Sequence, residues 1–170
     1  SAARTLAADV AAAVRGNPSI VLALPTGQTP IALYRHLIAL HRDGEVDFSR
    51  ATTFSLAEFE GIEPSHARSY RSFLQRHLFE QVNLSPRRIH SLNGNADDPS
   101  AECERYERAI ARAGGIDLLI LGLGRNGHVA FNEPGAFLVA RTHRAKLAAT
   151  TRDANRGLFG SRTAPGVSES

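Results

Sequence analysis

The sequence predicts a single α/β domain over residues 1-170, a three-layer αβα sandwich with a mainly parallel sheet. Three observations predict it. Short aliphatic runs at 20–24, 51–56 and 116–121 alternate with longer stretches of helical periodicity. The first two runs stand about thirty residues apart, the spacing of a strand–helix–strand unit. No two runs are joined tightly enough for a hairpin, so helices are left to cover both faces of a parallel sheet.

The elements follow in order. Residues 2–14 are alanine-rich with Leu6, Val10 and Val14 at helical spacing, a narrow apolar stripe. After a turn at 16–18 the run 20–24 reads as the first strand, and PTGQTP follows it. Thr29 is the expected helix cap with Pro30 at the first helical position, and Ile31, Tyr34, Leu37, Ile38 and His41 share one face before Gly44 ends the helix. Residues 51–56 form the second strand, with Ala57 and Glu58 just beyond it. A loop at 61–65 leads to a helix marked by Tyr70, Phe73, Leu74, His77 and Leu78. Residues 89–92 read as a short strand and NGNADDP as a turn-rich connection. Asp98 and Pro99 start a helix that passes Cys103, Tyr106 and Ile110 and stops at Gly114 and Gly115. The run 116–121 is then expected as a buried strand opening into a turn built from Gly122, Gly124 and Gly127, which presents Asn126, His128 and Glu133 within eight residues. A short helix, RDANRGLF, and a polar tail close the chain.

Composition narrows the function. No apolar run approaches the roughly 20 residues of a membrane span, and the N-terminus lacks a signal-peptide core, so the expectation is a soluble, cytoplasmic protein with no membrane partner. The single cysteine, Cys103, reads as a small buried hydrophobe. The formal charge is +3, and the 20 basic residues are all arginine except Lys146. Acids are interspersed with them, without the basic runs or aromatic platforms that a nucleic-acid partner needs. The exception is 141–162, where Arg141, Arg144, Lys146, Arg152, Arg156 and Arg162 face one acid, Asp153; it reads either as a solvated face or as an anion site.

In parallel sheets ligands bind beyond the carboxyl ends of strands. That rule brings together three loops, 26–29, 57–59 and 124–135. The first is a strand, a tight loop and a helix start. Its first-turn amides lack intrahelical acceptors, Thr26 and Thr29 add hydroxyls, and Gly27 allows close approach, so Thr26, Gly27, Gln28 and Thr29 suit a phosphate; an ordinary capped turn is the alternative. It is not a Walker loop, because the GK[ST] ending is missing. In the last loop His128 has Glu133 and Asn126 close by to orient it for proton transfer, or else these residues only tie down a glycine-rich loop. No second histidine or cysteine lies at ligand spacing, so no metal is expected. His66 and His77 read as structural or solvent-facing.

Four blocks, VLALPTGQTPIALYRHL, TTFSLAEFEGI, HSLNGNADDPSAECERYE and LGLGRNGHVAFNEPG, resemble successive blocks of the glucosamine-6-phosphate deaminase (glucosamine-6-phosphate isomerase) family, related to 6-phosphogluconolactonases. The resemblance covers almost all of residues 6–159 and implies the fold shared by deaminases, phosphogluconolactonases and ribose-phosphate isomerases. It implies a hydrolase/isomerase of amino-sugar and N-acetylglucosamine catabolism that converts glucosamine 6-phosphate to fructose 6-phosphate and ammonia, with no cofactor. Its partner would be a small hexosamine phosphate, and a homo-oligomer is an open expectation. By position, Thr26, Gly27, Gln28 and Thr29 would hold the phosphate, and His128, with Glu133 and Asn126, would open the pyranose ring. The lactonases usually follow the glycine–histidine core with a threonine–alanine–serine type sequence, so VAFNEP argues against that activity.

The chain also departs from the family. The aspartate that removes the C2 proton falls on Ala57, which has no group to take a proton. Glu58 is adjacent, but side chains of neighbouring extended residues point opposite ways. The family's phosphate-binding arginine aligns with Gly157, one residue from Arg156, and family chains continue past Ser170 with a further phosphate-binding lysine, as if this chain were C-terminally truncated. Ala136, His143 and Ala145 do not match the activator-binding residues of relatives, so activation by N-acetylglucosamine 6-phosphate is not expected. Two readings follow: a deaminase/isomerase with activity limited at Ala57, or a sugar-phosphate-binding homologue without catalysis.

Overall fold

A computed structural model of the chain describes residues 1–124, 127–137 and 139–147. Its elements are α1 (Ala2–Gly16), β1 (Val21–Leu24), α2 (Ile31–Arg42), β2 (Thr52–Ser55), α3 (Tyr70–His77), β3 (Ile89–His90), α4 (Pro99–Arg112) and β4 (Leu118–Leu119). The strands form one sheet in the order β3-β2-β1-β4, and every pairing in it is parallel. From β1 the chain builds outward through β2 to β3, and α4 then carries it back to the other side of β1. Between β1 and β4 the winding therefore reverses, the topological position at which sheets of this kind hold their ligands.

Both faces of the sheet are covered. Leu22 and Leu24 of β1 join the larger core with Val10 and Val14 of α1, Tyr34 and Leu37 of α2 and Leu74 of α3. Val21, pointing the other way, joins Phe54, Tyr106 and Ala109 on the α4 side. This alternation along β1 is the period-2 geometry of a strand, used here to fill two cores at once.

Several boundaries differ from the sequence reading. In α1 the buried stripe is Ala7, Val10, Ala11 and Val14, whereas Leu6 is exposed; alanine on the stripe lets α1 approach α2 closely. Thr29 does not cap α2: the cap is Pro30, already in the helical region, and no side chain closes that end. Asp98 does cap α4, its carboxylate accepting from the amides of Ser100 at 2.9 Å and Ala101 at 3.0 Å. Gly114 and Gly115 end the last turn with φ of +92° and +96°. The largest correction concerns 116–121. Only Leu118 and Leu119 pair as a strand, and Ile116, Leu119 and Leu121 are exposed, with Ile120 buried. The reason is position. β4 is an edge strand, with β1 on one side and no described neighbour on the other, and an aliphatic run cannot announce whether both of its faces are covered.

Candidate functional site

The loop after β1 is anchored from beneath. Pro25 is buried, and its carbonyl accepts a hydrogen bond from the Tyr34 hydroxyl of α2. Burial pushes the Tyr34 phenol up, so it stays a proton donor. Above that anchor Gly27 takes φ +100°, a conformation that side chains rarely adopt, and Gln28 and Thr29 are exposed. No side chain caps α2, and the Ile31 amide donates to the Gln28 carbonyl at 3.3 Å, so fewer of its first-turn amides are left for an anion.

The loop after β2 divides its two central residues between different tasks. Ala57 packs against the cluster of Phe59, Ile62 and Tyr70, to which Phe131 and Leu147 also contribute. Glu58 turns to the first turn of α3. Its carboxylate accepts from the amides of Phe59 at 3.1 Å, Tyr70 at 3.0 Å and Arg71 at 3.1 Å. Burial raises its pKa, opposed by those three amides. Glu58 thus completes a helix start and is committed to α3. Gly94 closes the loop from the far side: an added Cβ there would lie 2.1 Å from the Phe59 carbonyl oxygen.

The loop after β4 holds its own shape. Along β1 the chain enters through amides of Asp117 and Ile120 that donate to the carbonyls of Val21 and Ala23 at 3.0 and 3.1 Å. Beyond β4, the Gly124 amide donates to His128 at 2.8 Å and the Gly127 amide to Gly124 at 2.9 Å, while Val129 and Asn132 exchange two backbone bonds at 3.0 and 2.9 Å. Inside that tight turn Ala130 has φ +52°. The imidazole of His128 lies directly on Gly124, where a Cβ would come within 2.2 to 2.4 Å of three ring atoms. Glycine at 124 is therefore a requirement of the His128 rotamer.

These placements can be set against the predicted site. Thr26, Gly27, Gln28 and Thr29 stand at the carboxyl end of β1, and half-buried His128 and Glu133 stand on the loop that leaves β4. Asn126, like Arg156 and Gly157, lies outside the described residues. A groove of about 640 Å³ runs from Ala57 and Glu58 past Phe131 and Asn132 to Arg141 and Leu147; among the described residues its lining does not include His128 or Glu133. The basic stretch begins over this groove, where Arg144 pairs with Glu60 at 2.5 and 2.9 Å and Thr142 binds Glu107. Cys103 is half-buried in the same lining, and burial raises its pKa, as suits an unreactive thiol. His77 packs against Phe73 with its ring tilted, and His66 accepts from the Arg68 amide, local roles for both.

Sequence reasoning missed two residues. Tyr70 was visible only as part of a helical stripe, yet its ring packs against Phe59 of the loop after β2 and Phe131 of the loop after β4. Glu107 was one acid among many on α4, yet it ties down residue 142. Among the described residues no group of three or more metal-binding side chains is present, and no helix is long and apolar enough to cross a membrane.

A parallel sheet with its candidate site at the reversal between β1 and β4 defines the class, an α/β protein of doubly wound type. Comparison with known proteins makes this specific. Residues 1–157 match the family described as glucosamine-6-phosphate isomerases/6-phosphogluconolactonase, and the chain belongs to that family. It is 47% identical over 155 residues to glucosamine-6-phosphate deaminase 1 of Giardia intestinalis, a match that covers 91% of this chain and 58% of that protein. It is 45% identical over 154 residues to glucosamine-6-phosphate deaminase 2 of Bacillus subtilis, covering 91% of this chain and 62% of the relative. Among solved structures, a monomeric glucosamine-6-phosphate deaminase superposes with a TM-score of 0.91 at 37% identity, covering 96% of this chain and 68% of that one. The chain thus spans about three fifths of the length of the curated relatives it matches.

Proposed function

We propose that this chain carries the site of an amino-sugar-phosphate deaminase/isomerase, which converts glucosamine 6-phosphate and water to fructose 6-phosphate and ammonia, with its C2 proton step slowed by Ala57. The observation that carries the reading is the juxtaposition at the sheet reversal: the TGQT loop of β1 and the GRNGHVAFNEPG loop of β4 leave neighbouring strands at the same edge. The relatives that share these blocks are named as glucosamine-6-phosphate deaminases.

The chemistry follows from the residues. The phosphate would rest on the loop of Thr26, Gly27, Gln28 and Thr29. With Glu133 and Asn126 in support, His128 would take the proton of the C1 hydroxyl and return one to the ring oxygen, opening the pyranose to the aldehyde. A proton then leaves C2 and one arrives at C1, which moves the carbonyl chemistry to C2; water adds there and ammonia departs. The substrate's own carbonyl and amine supply the reactivity, so no cofactor takes part.

A second reading has its own observation. The C2 step needs a base where Ala57 stands, and Glu58 is held by the amides of Phe59 and of Tyr70 and Arg71 in α3. This favours a protein that binds the sugar phosphate without turning it over.

Ammonia release from glucosamine 6-phosphate, with binding measured in parallel, tests both. The expected result is slow release by the unmutated chain and an increase of about 10²- to 10⁴-fold in Ala57→Asp. Binding without any release, restored by Ala57→Asp, selects the second reading. Absence of hexosamine-phosphate binding in both proteins overturns the two together.

A further inference from the structure

We infer that Tyr106 of α4 is a positioning residue for side chain 57, one hydroxyl that fixes the carboxyl end of β2 and so sets where a base for the C2 proton step would stand. The C2 step rests on the function proposed above; the placement of residue 57 does not.

Tyr106 is 3% exposed and packs with Phe54 of β2. Its hydroxyl donates to the Ser55 carbonyl at 2.8 Å, and the His90 carbonyl, at 3.2 Å, is a second acceptor for the same proton. Ser55 closes β2 and His90 closes β3, so one buried hydroxyl bridges the ends of two neighbouring strands. The Ser55 hydroxyl, 3.3 Å away, can donate back. Burial pushes the phenol up and keeps it a donor. The ring is fixed as well: it meets Phe54 edge-on at 5.5 Å, and Phe54 stacks on His90 at 4.5 Å.

The neighbours of Tyr106 on α4 reach instead the chain that leaves β3. Glu102 accepts from the Asn93 amide at 2.7 Å, and Arg105 donates to the Ser91 carbonyl at 3.2 Å. Tyr106 extends this grip across to β2. Ala57 stands two residues beyond Ser55, and the carboxylate of the next residue, Glu58, is bound by the amides of Tyr70 and Arg71 in α3. Residue 57 is therefore suspended between two fixed points, Ser55 held by α4 and Glu58 held by α3. Each residue of a chain spans at most about 3.6 Å, so anchors on both sides leave Leu56 and Ala57 little room to turn. A base at 57 would be aimed by these two anchors. Removing the Tyr106 hydroxyl loosens the first of them.

Two variants isolate that hydroxyl. Tyr106→Phe keeps the ring against Phe54 and removes the hydroxyl; Arg105→Ala, one residue earlier, cuts a tie of α4 to the chain after β3 and leaves β2 alone. Methyl relaxation of the full chain labelled with carbon-13 alanine reads position 57 directly, with the buried Ala23 of β1 as internal reference. In Tyr106→Phe the Ala57 order parameter is expected to fall from about 0.85 to about 0.6 or lower while Ala23 keeps its value; in Arg105→Ala both are expected to stay. An unchanged Ala57 in Tyr106→Phe, or an equal loss in Arg105→Ala, overturns the inference whatever the protein binds. The second readout is kinetic, in the Ala57→Asp background. There Tyr106→Phe is expected to lower kcat for ammonia release about 10-fold with KM nearly unchanged, and to raise the isotope effect seen with glucosamine 6-phosphate deuterated at C2. Loss of folded protein alone would lower the amount of active enzyme and leave that isotope effect where it was. Unchanged kcat and isotope effect overturn the role in the C2 step. If Ala57→Asp releases no ammonia, the functional reading fails and the Ala57 order parameter alone decides the role of Tyr106.

Discussion

β1 and β4 run side by side in parallel, each ending in a loop that carries candidate site residues, yet they are built in opposite ways. All four residues of β1 are buried, and its loop is held from below by the Tyr34 hydroxyl on Pro25. Leu119 of β4 is 45% exposed, and its loop keeps its form through bonds to itself. The difference separates two sources of precision. The TGQT loop is placed by the core of the protein, so its geometry is tied to global stability. The His128 loop takes its local form from its own glycines and the tight turn at Ala130, with Phe131 tying it to the cluster of Phe59 and Tyr70, so the geometry around His128 can change with little effect on the fold.

Leucine-to-alanine substitutions in the two strands break or sustain that comparison with identical chemistry. Leu24→Ala removes a side chain that is 1% exposed and packed among α1, α2 and α3; the expected cost is about 2–5 kcal/mol, read as a lower urea midpoint. Leu119→Ala, on the neighbouring strand, is expected to cost about 0.5 kcal/mol or less. Equal losses would show that β4 is as much a part of the core as β1.

Gly124→Ala sharpens the same contrast from the chemical side. The new methyl group would fall on the His128 ring, and the imidazole has to leave its present position. A displacement of about 1 Å is enough to cost on the order of 10²-fold in rate. Measured in an Ala57→Asp background, ammonia release is expected to fall by that amount while the urea midpoint stays within the range of surface substitutions. A parallel loss of stability would mean that the loop is placed by the core after all.

The contrast also explains what the sequence disclosed and what it concealed. Helix α4 was legible from Asp98 and Pro99 to Gly114 because its signals are local: a carboxylate for two free amides and glycines with positive φ. The order of loops around the sheet was legible because strand and helix periods differ and parallel connections follow simple rules. The exposure of Ile116, Leu119 and Leu121 was not, since periodicity reports what a strand would like to bury and says nothing of whether a neighbour is there. Glu58 was half legible. Its position just beyond β2 could be read, but its destination on α3 depends on a contact twelve residues away. Tyr70 was hidden for a related reason: as a member of an amphipathic stripe it looks like any other core aromatic, and only the folded chain brings its ring against Phe59 and Phe131.

The smallest effect concerns the stretch that runs over the groove. Glu107 of α4 accepts from the Thr142 amide at 2.6 Å and from its hydroxyl at 2.7 Å. The Thr142 amide beside it holds the Glu107 carboxyl below the usual glutamate range; burial opposes this, and the Thr142 hydroxyl and Arg141 assist. A carboxylate whose folded pKa is depressed favours the tethered state fully above its unfolded value, and that contribution disappears as pH falls through the lowered folded value. The tether should therefore be intact near neutrality and released only under acid conditions, below the ordinary titration range of glutamate. Amide exchange at Thr142 checks it: protection is expected to persist from pH 7 to about pH 5 and to fall below the usual glutamate pKa of about 4.3. Glu107→Gln, which keeps an oxygen acceptor and removes the charge, should abolish this pH dependence and leave α4 unchanged. Protection at Thr142 that ignores both the acid and the substitution would show that residues 139–147 are held over the groove by their apolar contacts, with Leu147 on the Ala57 cluster as the anchor.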